Sequence, residues 1–269
     1  MPIPDLTGTV VIVTGAAGGL GGTMSLALLE AGASVAAFDL ESSGRYMDEL
    51  LASARDRQAG NRVKPFWCDV RNPAQAASAV AAAASAFGHI DGLINNAGLG
   101  PVYHPKTHAK LRFYEVEVDA WTSRIETNLT GAFVVARSVA PRLVAQGRGK
   151  IVNVTTSYFT MTGEALTPYG PAKAGLEAAS AIWSKDLAST GVSVNVLVPG
   201  GAANTRMVPS EVEPDRDRLV QPAVMRAPIQ WLMSRQSDGV TGKRFIGKDW
   251  DPSLDPNEAA QKVGKPVAW

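Results

Sequence analysis

The chain has 269 residues, a formal net charge of +1 and one cysteine, and its acidic and basic residues are nearly equal in number. That balance excludes the charge signature of a protein that binds nucleic acid or anionic membranes. No apolar stretch reaches the roughly 20 residues of a membrane-spanning helix, and a single cysteine cannot form an internal disulfide. Because no basic region typical of a signal peptide follows Met1, we expect a cytoplasmic protein.

Short apolar runs rich in β-branched residues alternate with alanine-rich helical segments along most of the chain. This alternation predicts one α/β domain over residues 1–250, with a parallel sheet covered by helices on both faces, and a tail over residues 251–269. Seven strands are predicted at residues 9–14, 34–39, 63–69, 92–95, 150–155, 192–198 and 244–247. Helices are predicted at residues 19–31, 45–58, 73–87, 118–145, 169–190 and 221–235.

A glycine-rich turn follows the first predicted strand and leads into a helix, with the sequence Gly15-Ala16-Ala17-Gly18-Gly19-Leu20-Gly21. Glycines let the backbone turn tightly and approach a pyrophosphate, which the amide groups at the start of a helix can bind. Asp39 ends the next strand, where a carboxylate can bind both hydroxyls of an adenosine ribose and would repel a 2′-phosphate. No arginine or lysine lies in the turn or beside Asp39, so the sequence favours NAD over NADP.

Tyr169 and Lys173 are four positions apart at the start of a predicted helix. Residues with this spacing lie on one face of a helix, so both side chains can point into one cleft. An unperturbed tyrosine has a pKa of about 10 and is a poor base near neutral pH. An ammonium group one helical turn away favours the phenolate, which would bring the tyrosine into the range of acid–base catalysis.

Several motifs, in one order, make residues 5–250 resemble the classical short-chain dehydrogenase/reductase family. They are Thr14-Gly-x-x-x-Gly19-x-Gly21, Asp69-Val70, Asn95-Asn96-Ala97-Gly98, Thr127-Asn128-Leu129, Tyr169-x-x-x-Lys173 and Pro199-Gly200. The resemblance implies a doubly wound, Rossmann-type fold with a seven-stranded parallel sheet, assembled as a homodimer or homotetramer. It also implies an NAD-dependent enzyme that transfers a hydride between nicotinamide and a secondary alcohol or ketone.

The resemblance further implies a role for each matching residue. Tyr169 would be the general base in alcohol oxidation, Lys173 would bind the nicotinamide ribose and lower the tyrosine pKa, and Asn128 would kink its helix and hold a water that links Lys173 to solvent. The 69–70 pair would contact the adenine, and the 96–98 turn would support the ribose. The residues expected to contact the cofactor are Gly15, Gly18, Gly19, Leu20, Gly21, Asp39, Leu40, Asp69, Val70, Asn96, Ala97, Gly98, Tyr169, Lys173, Pro199, Gly200 and Thr205.

Two expected residues are displaced or replaced in this chain. The family has a serine thirteen positions before the tyrosine, where this sequence has Thr156 followed by Ser157. A threonine hydroxyl can donate the same hydrogen bond, and the count favours Thr156, whereas a loop one residue shorter would favour Ser157. After Pro199-Gly200 the family has a threonine that binds the nicotinamide carboxamide; here either Asn204 or Thr205 takes that role.

Substrate identity is expected to depend on residues 99–117, 158–167 and 201–231, which follow the carboxyl ends of strands. Their aromatic and methionine residues indicate an apolar or ring-bearing substrate; they are Tyr103, Phe113, Tyr114, Tyr158, Phe159, Met161, Met207 and Met225. Arg206 could bind a substrate carboxylate, but a solvated loop arginine is the simpler interpretation. His104 and His108 lack a third ligand nearby, so no metal site is predicted.

Two other functions agree with parts of this pattern. One is a cofactor-binding sensor or scaffold without turnover. The presence of all three residues Asn128, Tyr169 and Lys173 argues against it. The other is an epimerase or dehydratase of nucleotide sugars, which usually needs a larger C-terminal substrate domain than the roughly 20 residues that follow the last predicted strand.

Overall fold

Eight strands form the central sheet of the computed structural model, which describes residues 3–269. The spatial order is β3-β2-β1-β4-β5-β6-β7-β8, in which the first seven strands are parallel and β8 is antiparallel to β7. The sheet therefore has one strand more than the seven predicted. The strands are β1 (Val10–Thr14), β2 (Ser34–Asp39), β3 (Val63–Trp67), β4 (Gly92–Asn95), β5 (Gly149–Val154), β6 (Val192–Val198), β7 (Lys243–Ile246) and β8 (Lys265–Pro266).

Nine α-helices lie in the part of the chain that the structure describes, and most of them connect consecutive parallel strands. The sequence sets their ends locally: α3 starts after Asn72, whose side chain accepts hydrogen bonds from two backbone N–H groups, and it ends at Gly88 with a positive φ. The helices are α1 (Gly19–Glu30), α2 (Gly44–Asp56), α3 (Pro73–Phe87), α4 (Val118–Ile125), α5 (Gly131–Gln146), α6 (Tyr158–Thr162), α7 (Tyr169–Asp186), α8 (Arg226–Met233) and α9 (Pro256–Val263).

The predicted helix over residues 118–145 is interrupted. A π-helical segment, Glu126–Thr130, separates α4 from α5 and contains the buried Asn128. Single π-helical turns of this kind leave the i→i−4 hydrogen-bond ladder and are frequent at functional sites. The resemblance implied a kink at this residue, and the structure shows the backbone irregularity there.

The tail over residues 251–269 contains regular structure that was not predicted. Asp255 caps α9 by accepting a hydrogen bond from the Asn257 N–H, and Pro256 occupies the first turn. Helix α9 buries Ala259 and Val263 in the core, and β8 then pairs with β7. The tail is therefore part of the domain.

The sheet is covered on both faces, so its inner strands are buried throughout. All seven residues of β6 are buried, as expected for a strand between two helical layers. Pro65 and the exposed Lys64 lie in the edge strand β3, where a missing backbone donor and a charge discourage pairing with another sheet. The Rossmann-type α/β fold is thus confirmed, and none of the helices within residues 3–269 is long and apolar enough to cross a membrane.

Strand order also fixes where a ligand can bind. Strands β1 and β4 are neighbours although the chain forms β2 and β3 between them, so the connections that leave β1 and β4 run in opposite directions across the sheet. A crevice opens at the carboxyl ends of the strands at such a switch point.

Candidate active site

A cleft of about 940 Å³ opens at this switch point, which lies within the usual range for small-molecule sites. Its walls come from the glycine turn, from the ends of β2, β4 and β5, and from the segment after β6. Of the residues predicted to contact the cofactor, those that line the cleft are Gly15, Gly18, Gly19, Leu20, Asp39, Leu40, Asp69, Val70, Asn96, Ala97, Gly98, Tyr169, Lys173, Pro199, Gly200 and Thr205.

Gly21 is the predicted cofactor residue that does not line the cleft. It is buried in the first turn of α1, and a Cβ on it would lie 2.6 Å from the Asn96 side-chain nitrogen. Gly21 therefore permits close packing of the helix against the glycine turn, which is a structural reason for a glycine at this position.

Asn96 and Thr14 brace the glycine turn from the side of β4. The Asn96 amide donates to the carbonyl oxygens of Thr14 at 3.0 Å and of Gly15 at 3.1 Å. In return the Thr14 hydroxyl accepts from the backbone N–H groups of Asn96 and Ala97. The motif at residues 95–98 thus supports the glycine turn.

Two carboxylates line the cleft near the ends of β2 and β3. Asp39 accepts hydrogen bonds from the Ala17 N–H and from the Leu40 N–H, both at 2.8 Å, which ties the end of β2 to the glycine turn. Each oxygen of an ionised carboxylate has a further lone pair, so both can still accept from a ribose. Asp69 is held by Arg71, whose guanidinium lowers the pKa of that carboxyl.

Tyr169 and Thr156 face each other at the opposite end of the cleft. Tyr169 begins α7 and is buried, and Thr156 follows the end of β5. Burial raises the pKa of Tyr169 to about 12, and the hydrogen bond with the Thr156 side chain offsets part of that rise. This direction is opposite to the lowered pKa expected from Lys173, because the loss of hydration on burial is the largest influence on the Tyr169 phenol.

The Ser157 hydroxyl is engaged in local structure. It accepts from the Thr160 N–H at 3.1 Å as the N-cap of α6, and it lies 2.8 Å from the Thr160 hydroxyl. Thr156 and Ser157 both line the cleft, but the Thr156 side chain is the one that lowers the pKa of the Tyr169 phenol. Of the two candidates, Thr156 is therefore the one that interacts with the phenol.

Lys173 lies one turn after Tyr169 and is almost completely buried. Its Nζ donates to the Val154 carbonyl oxygen at 2.8 Å, and burial lowers its pKa to about 8. The Asn128 carboxamide is nearby, since a Cβ on Gly98 would lie 3.2 Å from Asn128 Oδ1 and 3.7 Å from Lys173 Nζ. Asn128 does not line the cleft; its carboxamide bonds both backbone polar groups of Leu99.

A buried ion pair behind the catalytic strand was not predicted. Arg244 of β7 lies 2.6 Å from Glu177 of α7, and both side chains are almost fully buried. The same guanidinium donates to the Thr155 hydroxyl at 3.2 Å and to the Thr156 carbonyl oxygen at 2.6 Å. Its planar face also lies over the Tyr158 ring, 4.2 Å from the centroid. Arg244 therefore fixes the backbone that carries Thr156.

The segment after β6 is shaped by Arg216. Its guanidinium donates to the Asn204 side chain at 2.9 Å and to the Thr205 carbonyl oxygen at 2.9 Å, and Asn204 also donates to Gln221. The Asn204 amide is thus occupied away from the cleft. Thr205 lines the cleft, with its methyl group against Gly19, and is the better placed of the two candidates for the carboxamide.

The substrate end of the cleft is partly apolar. Tyr103, Phe159 and Met207 line it, as do Leu99 and Leu166. The other residues predicted here lie elsewhere: Phe113 and Tyr114 are largely exposed, Tyr158 packs on Arg244 and Trp269, Met161 is buried, and Met225 is in the core.

The residues present fit an extended dinucleotide. Gly18 and Gly19 add no side chain of their own to the turn at the start of α1, so Arg206 and Thr205 lie close to its backbone. The Asp39 carboxylate lines the cleft beside this turn. Tyr169, Lys173 and Thr205 lie at the far end of the same continuous cleft. These residues would hold the two ends and the pyrophosphate of such a cofactor.

The first prediction concerns the pH dependence of stability, measured on the protein without ligand. The lowered pKa of Lys173 means that the unfolded chain binds more protons between pH 8 and 10.5, so stability rises with pH through that window. Relative to Lys173→Met, the wild type should gain on the order of 3 kcal/mol of unfolding free energy between pH 7 and 10. Urea denaturation at both pH values tests this, and parallel pH profiles would contradict it.

The second prediction concerns the buried ion pair. Arg244→Met leaves the Glu177 carboxylate buried without a cation and should cost about 3–5 kcal/mol of stability. The double variant Arg244→Met/Glu177→Leu should lose less than the single variant, because no buried charge remains. Urea denaturation of the wild type, the two single variants and the double variant measures the interaction energy between Arg244 and Glu177. If the stability loss of the double variant equalled the sum of the two single losses, the pair would not act as a unit.

Comparison with known proteins agrees with this geometry. The family described as short chain dehydrogenase matches residues 9–216. A 3-oxoacyl-[acyl-carrier-protein] reductase FabG from Thermotoga maritima is 31% identical over 91% of this chain and 97% of that protein. D-threitol dehydrogenase from Mycolicibacterium smegmatis is 32% identical over 72% of this chain and 70% of that protein.

Solved structures show the same relationship. A putative short-chain alcohol dehydrogenase from Sinorhizobium meliloti superimposes with a TM-score of 0.79 and 28% identity, over 91% of this chain and 97% of that one. The family binds nicotinamide dinucleotides and acts on alcohol or carbonyl groups of small molecules. With the family match over most of its length and the glycine turn, Tyr169 and Lys173 in one cleft, the chain belongs to the short-chain dehydrogenase/reductase family.

Proposed function

We propose that the protein is an NAD-dependent oxidoreductase that interconverts a secondary alcohol and a ketone of a small, apolar or ring-bearing substrate. The observation that carries this proposal is the meeting of Thr156, Tyr169 and Lys173 in one cleft with the glycine turn and Asp39. Tyr103, Phe159 and Met207 support the apolar substrate, because they line the same cleft as Tyr169.

The protein's own residues supply position and proton transfer. Thr156 orients the substrate oxygen and holds the Tyr169 phenol, which takes the hydroxyl proton in oxidation and returns it in reduction. Lys173, held by the Val154 carbonyl, lies one turn from the phenol and favours the phenolate when protonated. When bound, the nicotinamide accepts or supplies the hydride, and its positive oxidised ring adds a second charge that opposes the effect of burial on the tyrosine.

The preference for NAD rests on Asp39. Its carboxylate lines the adenosine end of the cleft, where it can accept from the ribose hydroxyls and repel a 2′-phosphate. Arg71 is engaged with Asp69 in a salt bridge, which reduces its availability to a phosphate. We also propose a cytoplasmic homodimer or homotetramer, supported by the exposed apolar residues Phe133 and Ile182 on α5 and α7.

The third prediction tests the reaction. In a paired titration with NAD and NADP followed by a panel of alcohols and ketones, NAD should give the larger kcat/KM. Tyr169→Phe should lower kcat by roughly 10²-fold to 10⁴-fold, because it removes the group that transfers the proton. Cofactor absorbance gives the rates. Tight NAD binding without turnover on any member of a broad panel would favour the sensor or scaffold.

The fourth prediction separates the two neighbouring hydroxyls. Thr156→Val keeps the shape of the side chain and removes its hydroxyl, so kcat should fall by roughly 10²-fold. Ser157→Ala removes the cap of α6 and should cost roughly 1 kcal/mol of stability while changing kcat little. Steady-state kinetics and urea denaturation of the two variants provide the measurement. The reverse pattern would assign substrate orientation to Ser157.

A further inference from the structure

Arg206 lies against the glycine turn. Its Nη2 is 2.5 Å from the position that a Cβ on Gly18 would occupy, and its guanidinium lies over the Tyr46 ring, 3.2 Å from the centroid. We propose that Arg206, stacked on Tyr46, binds the pyrophosphate of the dinucleotide and so adds a cation to the phosphate site. This proposal rests on the dinucleotide binding in the proposed function, and it differs from both roles considered for Arg206 from the sequence, a solvated loop arginine and a partner of a substrate carboxylate.

Position 18 is occupied by glycine, and a larger side chain there would collide with Arg206. Its φ of 174° is extended backbone that any residue adopts, so the conformation does not require glycine. A side chain at this position, however, would occupy the place of the Arg206 guanidinium. Gly18 immediately precedes α1, where backbone amides bind a pyrophosphate in dinucleotide-binding turns. Arg206 therefore brings its charge to that part of the cleft.

The backbone on both sides of Arg206 is held in place. Arg216 donates to the Thr205 carbonyl oxygen at 2.9 Å and to the Val208 carbonyl oxygen at 2.8 Å. The Thr205 methyl group packs on Gly19, with Cγ2 3.2 Å from the position of a Cβ there. The loop is thus pinned to the glycine turn before any ligand binds, which lowers the entropy lost on binding.

The guanidinium is free to bind an anion. It forms no salt bridge with any carboxylate of residues 3–269, whereas the neighbouring Arg45 pairs with Glu49. Stacking on Tyr46 uses the face of the guanidinium and leaves the N–H groups at its edge available. A planar fork of donors matches two phosphate oxygens, which favours a pyrophosphate as the partner.

Binding measurements on the full chain test the proposal without requiring turnover. The probes are adenosine, ADP-ribose, NAD and NADP, studied by isothermal titration calorimetry. Arg206→Gln should weaken ADP-ribose and NAD by about tenfold or more, since a charge-assisted bond to phosphate is lost. Adenosine, which has no phosphate, should bind Arg206→Gln and wild type equally well. Arg45→Gln is the matched control, because it removes a neighbouring charge outside the cleft and should leave all four affinities unchanged.

Tyr46 variants test the stacking. Tyr46→Phe keeps an aromatic face and should retain the wild-type affinity for ADP-ribose. Tyr46→Ala removes the face and should weaken ADP-ribose by roughly twofold to fivefold, again with no effect on adenosine. In Arg206→Gln, the affinity for ADP-ribose should also depend less steeply on salt concentration than in wild type.

Three results would overturn the proposal. Equal losses for adenosine and ADP-ribose in Arg206→Gln would indicate a distorted cleft. Unchanged ADP-ribose affinity would show that Arg206 does not touch the phosphates. If Arg206→Gln weakened the binding of NADP alone, Arg206 would contact a 2′-phosphate. If it weakened NAD and NADP by the same factor, the contact would be with the pyrophosphate. Wild-type binding of ADP-ribose with no turnover on any alcohol would refute the proposed reaction and leave this inference standing.

Discussion

Two buried cations hold the end of strand β5, and the order of the active site depends on them. Lys173 donates to the Val154 carbonyl and Arg244 to the Thr156 carbonyl, so the backbone on both sides of Thr155 is fixed by charged hydrogen bonds. The two buried cations differ in their surroundings. Arg244 forms an ion pair with Glu177, whereas burial lowers the pKa of Lys173. The strand end is therefore rigid because burial makes each of these bonds costly to break.

Much of the fold could be predicted because its signals are local. The bounds predicted for β2, β4, β6 and α3 agree with the structure, since the strands are short and mostly apolar and α3 has a cap encoded next to it. The site was predictable to the same extent: its motifs follow strand ends, and parallel strands bring their carboxyl ends to one edge. Sequence alone could not choose between Thr156 and Ser157, because the choice depends on α6, which starts at Tyr158 and takes the Ser157 hydroxyl as its cap.

Several features that were missed depend on contacts between distant segments. Arg244 and Glu177 lie on different elements, and neither carries a motif, so their pairing appears only when β7 and α7 pack. Arg206 meets Tyr46 and Gly18 across the cleft in the same way. Residues 255–257 did carry a local helix signal, but the position of α9 against the core depends on β7 and α8. The π-helical segment has no periodic signature that a pattern of apolar residues would show, so its kink at Asn128 was expected only from the family resemblance.

The switch point between β1 and β4 has a thermodynamic consequence. One wall of the cleft is formed by the first three strands and their turns, and the other by the later strands, so a bound dinucleotide contacts both halves of the sheet at once. A ligand that binds only the native chain raises the unfolding free energy by about 2.7 kcal/mol at one hundred times its dissociation constant. A bound dinucleotide would therefore hold the two halves of the sheet together, and the unfolding free energy would rise with the free dinucleotide concentration.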